Sequence, residues 1–435
     1  MTHIAQEPQA IDPDTAADGK ADPPLSRNRA FQLLWGSQFL STIGTRTSRL
    51  SYPLLVLAVL GSPADASLVS AALTLPMPLL YLLAGALVDR TGHKRVLLLC
   101  EGVRALALGS VAVAIFLRSV SLWQLIVVAF VEGSCFVFFQ LAEAALVPRV
   151  VPGGQLASAI AANQARTSGA ELVGQPLGGL LFGLGWAVPF LADAASYLAS
   201  FIALLGLRIP ARVMSGAEVR PVGRRGLAHD LLAGLRWFAR QREAIALAVV
   251  IGLVNLLFAA LPLVMIVRAR DSGSNPEAIG WMFAMLSCGA IIGAAAAPWL
   301  SRRVNRRLYL CLSPWFWSLC VLALSASSRP LLLGGIVGVA MLAAPTFNVI
   351  TSSYWYRVTP DELQARSQSV LRLITWGALP LGSLTAGWLT RWPTSQAILV
   401  LALAMAIVAT GMLGVSVVLR KATALSPATS QAMWS

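Results

Sequence analysis

Apolar stretches long enough to span a bilayer recur along the chain, separated by short polar turns. They fall at about 31–60, 66–88, 96–117, 121–147, 156–184 and 186–207, and again at about 244–267, 277–300, 308–327, 331–356, 365–390 and 395–419. The pattern predicts an all-α membrane protein of twelve transmembrane helices in two sets of six. The expected organisation is a tail at 1–28, a first bundle at 29–207, a linker at 208–243, a second bundle at 244–420 and a tail at 421–435. The first tail carries Glu7, Asp12, Asp14, Asp18 and Asp22 with several prolines and lacks a signal-peptide core, which predicts disorder. The linker begins Arg-rich and ends with Leu231, Leu235 and Phe238 at helical spacing, Arg236 and Arg240 lying off that face. That predicts an amphipathic helix on the inner leaflet.

Hydrophobic residues make up 57% of the chain and charged ones 12%, about half the charge a soluble protein carries. The net charge of +14 does not indicate nucleic-acid binding, because the basic residues sit in short clusters between apolar runs. Alternating the loops between two sides leaves only Arg118, Arg268, Arg270, Arg329 and Arg391 on one of them. By the positive-inside rule both termini and the linker are cytoplasmic, in a multi-pass protein of the inner (cytoplasmic) membrane. The cysteines (Cys100, Cys135, Cys288, Cys311, Cys320) lie inside apolar runs without paired spacing and read as packing residues, so neither disulfides nor a metal site are expected. His3, His93 and His229 fall in the tail and loops, which leaves proton chemistry within the membrane to carboxylates.

An ionisable side chain near the bilayer centre costs about 2.5–3.5 kcal/mol on insertion scales, so each asks for a reason. The apolar runs hold Arg46, Arg49, Glu101, Arg104, Glu132, Glu143, Arg166, Glu171, Asp193 and Arg372, with every acid in the first half. The second half adds only Arg372 and the neutral Asn255 and Asn348. Arg46 and Arg49 share a face near the middle of the first helix, and Glu132 has similar depth on the fourth. Their cluster is the expected proton-switched or substrate-binding site, the alternative being a static ion pair that fixes packing. Glu171, Asp193, Asn255 and Asn348 complete the expected cavity set. Glu101 and Arg104, three apart, read as a local pair. Glu143 follows Glu132 by three turns, about 16 Å nearer the cytoplasm.

One loop carries a denser pattern: Gly85-x-Leu87-x-Asp89-Arg90-x-Gly92-x-Lys94-Arg95. Gly85 would admit a close neighbouring helix. Asp89 could face the positive end of a helix dipole, and Gly92 permits a tight turn. Arg90, Lys94 and Arg95 hold the loop on the cytoplasmic side. A weaker copy lays Leu300, Arg303 and Arg307 on Leu87, Arg90 and Lys94, with Arg302 and Asn305 replacing Asp89 and Gly92. Likewise Pro176-Leu177-Gly178-Gly179 corresponds to Pro380-Leu381-Gly382-Ser383.

The loop resembles the signature between the second and third helices of the major facilitator superfamily, whose members are built from two parallel six-helix repeats. Gly169 and the run Gly174-Gln175-Pro176-Leu177-Gly178-Gly179 resemble the fifth-helix motif of exporters that exchange substrate for protons, with Gln175 where a proline is usual. The stretches Phe31 to Ser41, Leu146 to Pro152 and Asn163 to Arg166 are similar to bacterial siderophore exporters and macrolide-efflux-like proteins. The resemblance runs from Phe31 to about Arg420. It implies alternating access, a central cavity lined by the first and fourth helices, and bulky, mostly apolar substrates. It also implies an inner-gate latch of Glu143 with Arg90 or Arg95, and Asp89 facing the eleventh helix. His93 stands where an arginine is usual, which could make the latch pH-sensitive. Thr45 replaces an acid often found after the first-helix glycine. The expected function is export of drug-like, secondary-metabolite or siderophore-type molecules, driven by the proton gradient without a cofactor. The partners are substrate, protons and membrane lipids, with the protein as a monomer. The alternative is a proton-coupled importer of a small nutrient. No phosphate-cradling loop, metal spacing or Ser/His/Asp arrangement supports an enzyme or a sensor.

The charge bias makes a topological prediction. A reporter fused after Lys421 will be active only as a cytoplasmic reporter, and a cysteine at Ser62 will label from outside intact cells. Labelling at Ser62 solely after permeabilisation would reverse the orientation.

Overall fold

The computed structural model describes Leu25, Asn28 and residues 29–207, 241–359 and 364–425, without side chains at some helical positions, Asp89 and Arg90 among them. The expected amphipathic helix of the linker and most of both tails lie outside the described residues.

Fourteen α-helices are formed among the described residues: α1 (Arg29–Val59), α2 (Pro63–Thr74), α3 (Pro76–Thr91), α4 (His93–Phe116), α5 (Leu122–Val150), α6 (Leu156–Leu184) and α7 (Val188–Gly206), then α8 (Arg242–Asp271), α9 (Pro276–Arg303), α10 (Arg306–Ala323), α11 (Pro330–Met341), α12 (Ala344–Val358), α13 (Gln364–Leu389) and α14 (Thr394–Leu425). Two pairs are single spans interrupted once, α2/α3 at Leu75 and α11/α12 at Leu342 and Ala343. Proline at the start of α3 and α12 explains each break, since it lacks the N–H that the preceding turn needs. Each pair counted as one gives twelve rods. Polar caps start several of them: Asn28, Ser62, Ser121, Asn275 and Asn305 each accept a first-turn backbone N–H.

Among the described residues nine spans are long and apolar enough to cross a membrane, and α1, α6 and α13 are not among them. Those three are also central. α6 packs on α9 and α13 on α2, so two of the three face the other half, while α1 packs on α6 and α7 within its own.

Asn28 at the start of α1 donates to the Val150 carbonyl at the end of α5; this is called the terminal side, and the halves are clasped at the other side, here called the far end. A Cβ built on Gly179 of α6 would lie 2.9 Å from Gly280 Cα of α9 and would clash with the Pro276 carbonyl. Gly387 of α13 lies as close to Ser67 of α2. Arg270 at the end of α8 donates to the Leu57 carbonyl of α1 at 2.6 Å. The clasp therefore rests on backbone contacts that a side chain would prevent.

Gly179→Ala will weaken the clasp by about 1–3 kcal/mol, roughly 5- to 150-fold in the ratio of closed to open far ends. A cysteine at Ser67, 3% exposed in the closed structure, will react correspondingly faster with an impermeant maleimide. An unchanged rate would show that the α6–α9 contact does not limit opening.

Candidate functional site

α1 carries a polar stripe, Gln38, Ser41, Thr45, Ser48 and Tyr52, all of it buried. The three- and four-residue spacing puts these side chains on one face, and α4, α5 and α7 close over them. Glu101 of α4 is fully buried and accepts from Gln38 Nε2 at 3.3 Å, Ser41 Oγ at 3.2 Å and Ser200 Oγ at 3.1 Å. One turn along, the Arg104 guanidinium stacks 4.3 Å from the Tyr197 ring centre. Its Nη2 lies 3.4 Å from Thr45 Oγ1 and 3.9 Å from Glu132 Oε1. The Thr45 and Tyr197 hydroxyls are 2.8 Å apart, and Tyr52 donates its hydroxyl proton to Glu132 Oε2 at 2.9 Å. Asp193 of α7 reaches the backbone of Gly44, where any side chain would collide with it, and accepts from Ser196 Oγ at 3.2 Å. Glu132 Oε1, Asp193 Oδ2 and Arg104 Nε are buried without a hydrogen-bond partner. The core thus holds three carboxyls and one guanidinium, with acceptor capacity to spare.

Arg46 lies off the stripe and turns to α6, while Arg49, four residues after Thr45 and three before Tyr52, borders it. Arg46 pairs with Glu171 of α6 at 2.6 Å, partly exposed. Arg49 stacks 4.6 Å from the Phe136 ring centre, its Nε and Nη2 buried without hydrogen bonds. The expected clustering with Glu132 is corrected for Arg46, which pairs with Glu171; Arg49 stays within electrostatic reach of Glu132, and Arg104 is the residue that forms an ion pair with it among the described residues. Equal depth on two helices placed the charges at one level, but the 100° step per residue decides which of them face one another. The expected local Glu101–Arg104 pair also gives way, since each reaches across to other helices.

The loop at 85–95 is placed as follows. Gly92 has φ 86° and makes the turn between α3 and α4, which any residue with a Cβ would strain. Lys94 Nζ donates to the Leu205 and Leu207 carbonyls at 3.0 and 2.7 Å, capping the end of α7. A Cβ on Gly85 would meet nothing within 4 Å, so the close helix approach expected there is not made; the tight inter-half contacts described above lie at the far end. Glu143 pairs with Arg166 of α6 at 2.7 Å, where Arg90 or Arg95 had been expected. Arg95 is exposed, and the side chains of Asp89 and Arg90 lie outside the described residues. His93 opens α4 and is buried.

On α6, Gly174 and Gly178 let α1 approach: a Cβ on either would fall within 2.9 Å of the Ile43 or Thr47 carbonyl. Gly179 turns to α9, and Gly169 makes only an ordinary contact, 3.8 Å from Phe39. Pro176 lies among them inside the helix.

The second half contributes a cavity of about 330 Å³ between α8, α9, α10 and α11/α12, a size that suits a small organic ligand. Phe258, Trp317 and Phe347 form its aromatic wall, with ring centroids 5.3 and 5.1 Å apart. Asn255 and Asn348 both line it. Asn255 donates to the Thr375 carbonyl at 3.1 Å. Asn348 is exposed, and its carboxamide makes no hydrogen bond among the described residues. Arg372 of α13 hydrogen-bonds the Tyr81 hydroxyl of α3 and lies against the Tyr81 and Trp376 rings, joining the halves on the terminal side of the clasp.

The functional groups missed in the sequence are Tyr52, Tyr197, Gln38 and Ser200. The signal for Gln38 and Tyr52 was present as the α1 stripe, a row of polar residues at helical spacing inside an apolar run, and that for Tyr197 and Ser200 as their spacing of four and seven from Asp193 on α7.

A family model described as transmembrane secretion effector, of the major facilitator superfamily, matches residues 21–435. The multidrug efflux pump Tap of Mycolicibacterium fortuitum is 27% identical over 355 residues, covering 79% of this chain and 85% of that protein. Tap of Mycobacterium tuberculosis is 25% identical over 403 residues, covering 90% and 93%. Among solved structures, a variant of the nucleoside transporter NupG superposes with a TM-score of 0.74 at 15% identity, covering 89% of this chain and 99% of that one; that likeness speaks to fold alone. The chain is a transporter of the major facilitator superfamily and belongs to its transmembrane secretion effector family.

Proposed function

We propose that this transporter expels bulky, mostly apolar molecules of drug or secondary-metabolite type from the cytoplasm in exchange for protons. The observation that carries this reading is the division of chemistry between the halves. The first half encloses carboxyls with unpartnered oxygens, places where a proton can reside. The second half offers an aromatic cavity whose polar groups are two carboxamides. Similarity to the Tap efflux pumps supports the direction and the substrate class, and the positive-inside bias supports cytoplasmic termini in the inner membrane. In this reading the far end is the outer face, closed here, and the two halves rock about the α6–α9 and α2–α13 contacts. Glu132 is the acid assigned to coupling, because Tyr52 and Arg104 reach it from separate helices and movement of either changes its environment.

Glu132→Gln separates coupling from architecture, since it keeps the Tyr52 hydrogen bond. Drug efflux driven by an imposed pH gradient in inverted vesicles will fall at least tenfold, at near-normal abundance. A purely structural pair would instead lose abundance, as breaking a buried pair costs about 3–5 kcal/mol. Normal, pH-driven drug accumulation by this variant would remove Glu132 from the mechanism, and pH-driven uptake in the opposite direction would make the protein an importer.

Asn348→Leu will reorder substrates rather than abolish transport. Apparent affinity should drop roughly fivefold, about one lost hydrogen bond, for drugs that carry a polar group, and stay unchanged for hydrocarbon-like dyes. Equal effects on both classes would move the substrate away from this cavity.

A further inference from the structure

A second apolar hollow of about 500 Å³ lies at the terminal side of the second half, between the end of α9, the start of α10 and the α11/α12 break. Its wall on α10 runs through Asn305, Leu308, Tyr309, Leu312, Ser313 and Phe316. These recur at helical spacing and make a straight furrow about 16 Å long at 1.5 Å per residue. Leu308 and Leu312 are more than half exposed along it, and no helix among the described residues covers them. At its terminal-side mouth the α9–α10 turn carries Arg302, Arg303 and Arg306. Arg302 and Arg303 are exposed and Arg306 half-buried, and none meets a carboxylate among the described residues. Arg303 stacks 5.0 Å from the Trp299 ring centre, one turn from Leu300 and one residue before Val304, which line the hollow. Within the furrow the Ser313 hydroxyl is buried without a hydrogen-bond partner.

We infer that this furrow is a specific site for an anionic diacyl phospholipid, one acyl chain lying along α10 and the phosphate held by Arg302, Arg303 and Arg306. The geometry and the charge agree. The furrow begins at the level of the basic turn, where a headgroup lies, and continues into the hydrocarbon region. A chain of a dozen methylenes fills about that length. An anionic headgroup suits the mouth, which holds three cations and no acid among the described residues. Guanidinium groups suit a phosphate by geometry as well as by charge. The site differs from the expected lipid contact of the linker and is independent of the transported molecule. It gives the weaker copy of the 85–95 loop a use of its own: Arg302 and Asn305, which replace Asp89 and Gly92, supply a cation and the α10 cap.

The test is native mass spectrometry of the full-length protein titrated with dioleoyl-phosphatidylglycerol or dioleoyl-phosphatidylcholine. One phosphatidylglycerol adduct should survive at activation energies that strip phosphatidylcholine, with a preference of roughly fivefold per arginine. Replacing all three arginines by alanine should abolish the preference. Leu312→Trp, which fills the furrow and keeps the arginines, should abolish the adduct. A paired Lys94→Ala and Arg95→Ala variant tests the other basic loop and should leave the preference intact. Equal retention of both lipids, or a preference that survives Leu312→Trp, overturns the proposal, the latter reducing it to headgroup adsorption on a basic turn. Loss with the Lys94 and Arg95 pair alone assigns the lipid to the first loop and also overturns it. Should the triple variant fail to fold, thermal stabilisation of the wild-type protein by phosphatidylglycerol over phosphatidylcholine, cancelled by Leu312→Trp, decides the matter.

Discussion

The hydrocarbon interior offers no water, so every charge placed there must find its partner within the protein. That constraint shapes the first half more than any apolar contact does. Glu101, Arg104, Glu132 and Asp193 come from three different helices, and a fourth helix, α1, serves them all with its stripe from Gln38 to Tyr52. Glu101 is satisfied three times over, which suits an anchor. Glu132 and Asp193 keep an oxygen unpartnered, which suits groups whose state changes. One polar core thus holds both a fixed and an adjustable part.

The second half answers the same constraint differently, by nearly avoiding charge. Its helices pack through small residues: Gly289 and Gly293 of α9 lie against the backbone at Gly338 and Leu342. Its cavity is walled by aromatic rings and tipped with carboxamides. A neutral amide in such a place can orient a ligand without the desolvation cost that a charge would impose. The two halves therefore differ in polarity.

Much of this was legible from the chain. Hydrophobic runs located the spans because helix length and membrane thickness are set by the same distance. The α6 glycines were legible as contact points because closeness requires a missing side chain. Pairings were harder to read. Arg46 and Glu132 share a depth, yet they face different neighbours, and only the azimuth of each helix in the bundle separates them. Gly85 has the composition of a contact and makes none, because a contact needs the partner helix to be there in the conformation observed. Asp193 was legible as an intramembrane acid, but its place against Gly44 was not, since that depends on how α7 leans on α1. The cavity of the second half drew on Asn255 and Asn348 in the sequence; its aromatic wall could not be told from ordinary core residues.

The hydrogen bond from Arg270 to the Leu57 carbonyl has a consequence for how this protein can drift in sequence. Its acceptor belongs to the main chain, so replacing Leu57 by another helix-forming residue leaves the oxygen where it is. The acceptor is consequently independent of the identity of the Leu57 side chain so long as the core around it is kept, and the donor is a single guanidinium. Lineages can then exchange Leu57 for another apolar side chain that fills the same buried space without removing the acceptor. Change at Arg270 has no such shelter, and its loss would have to be offset by a donor arising elsewhere on the rim.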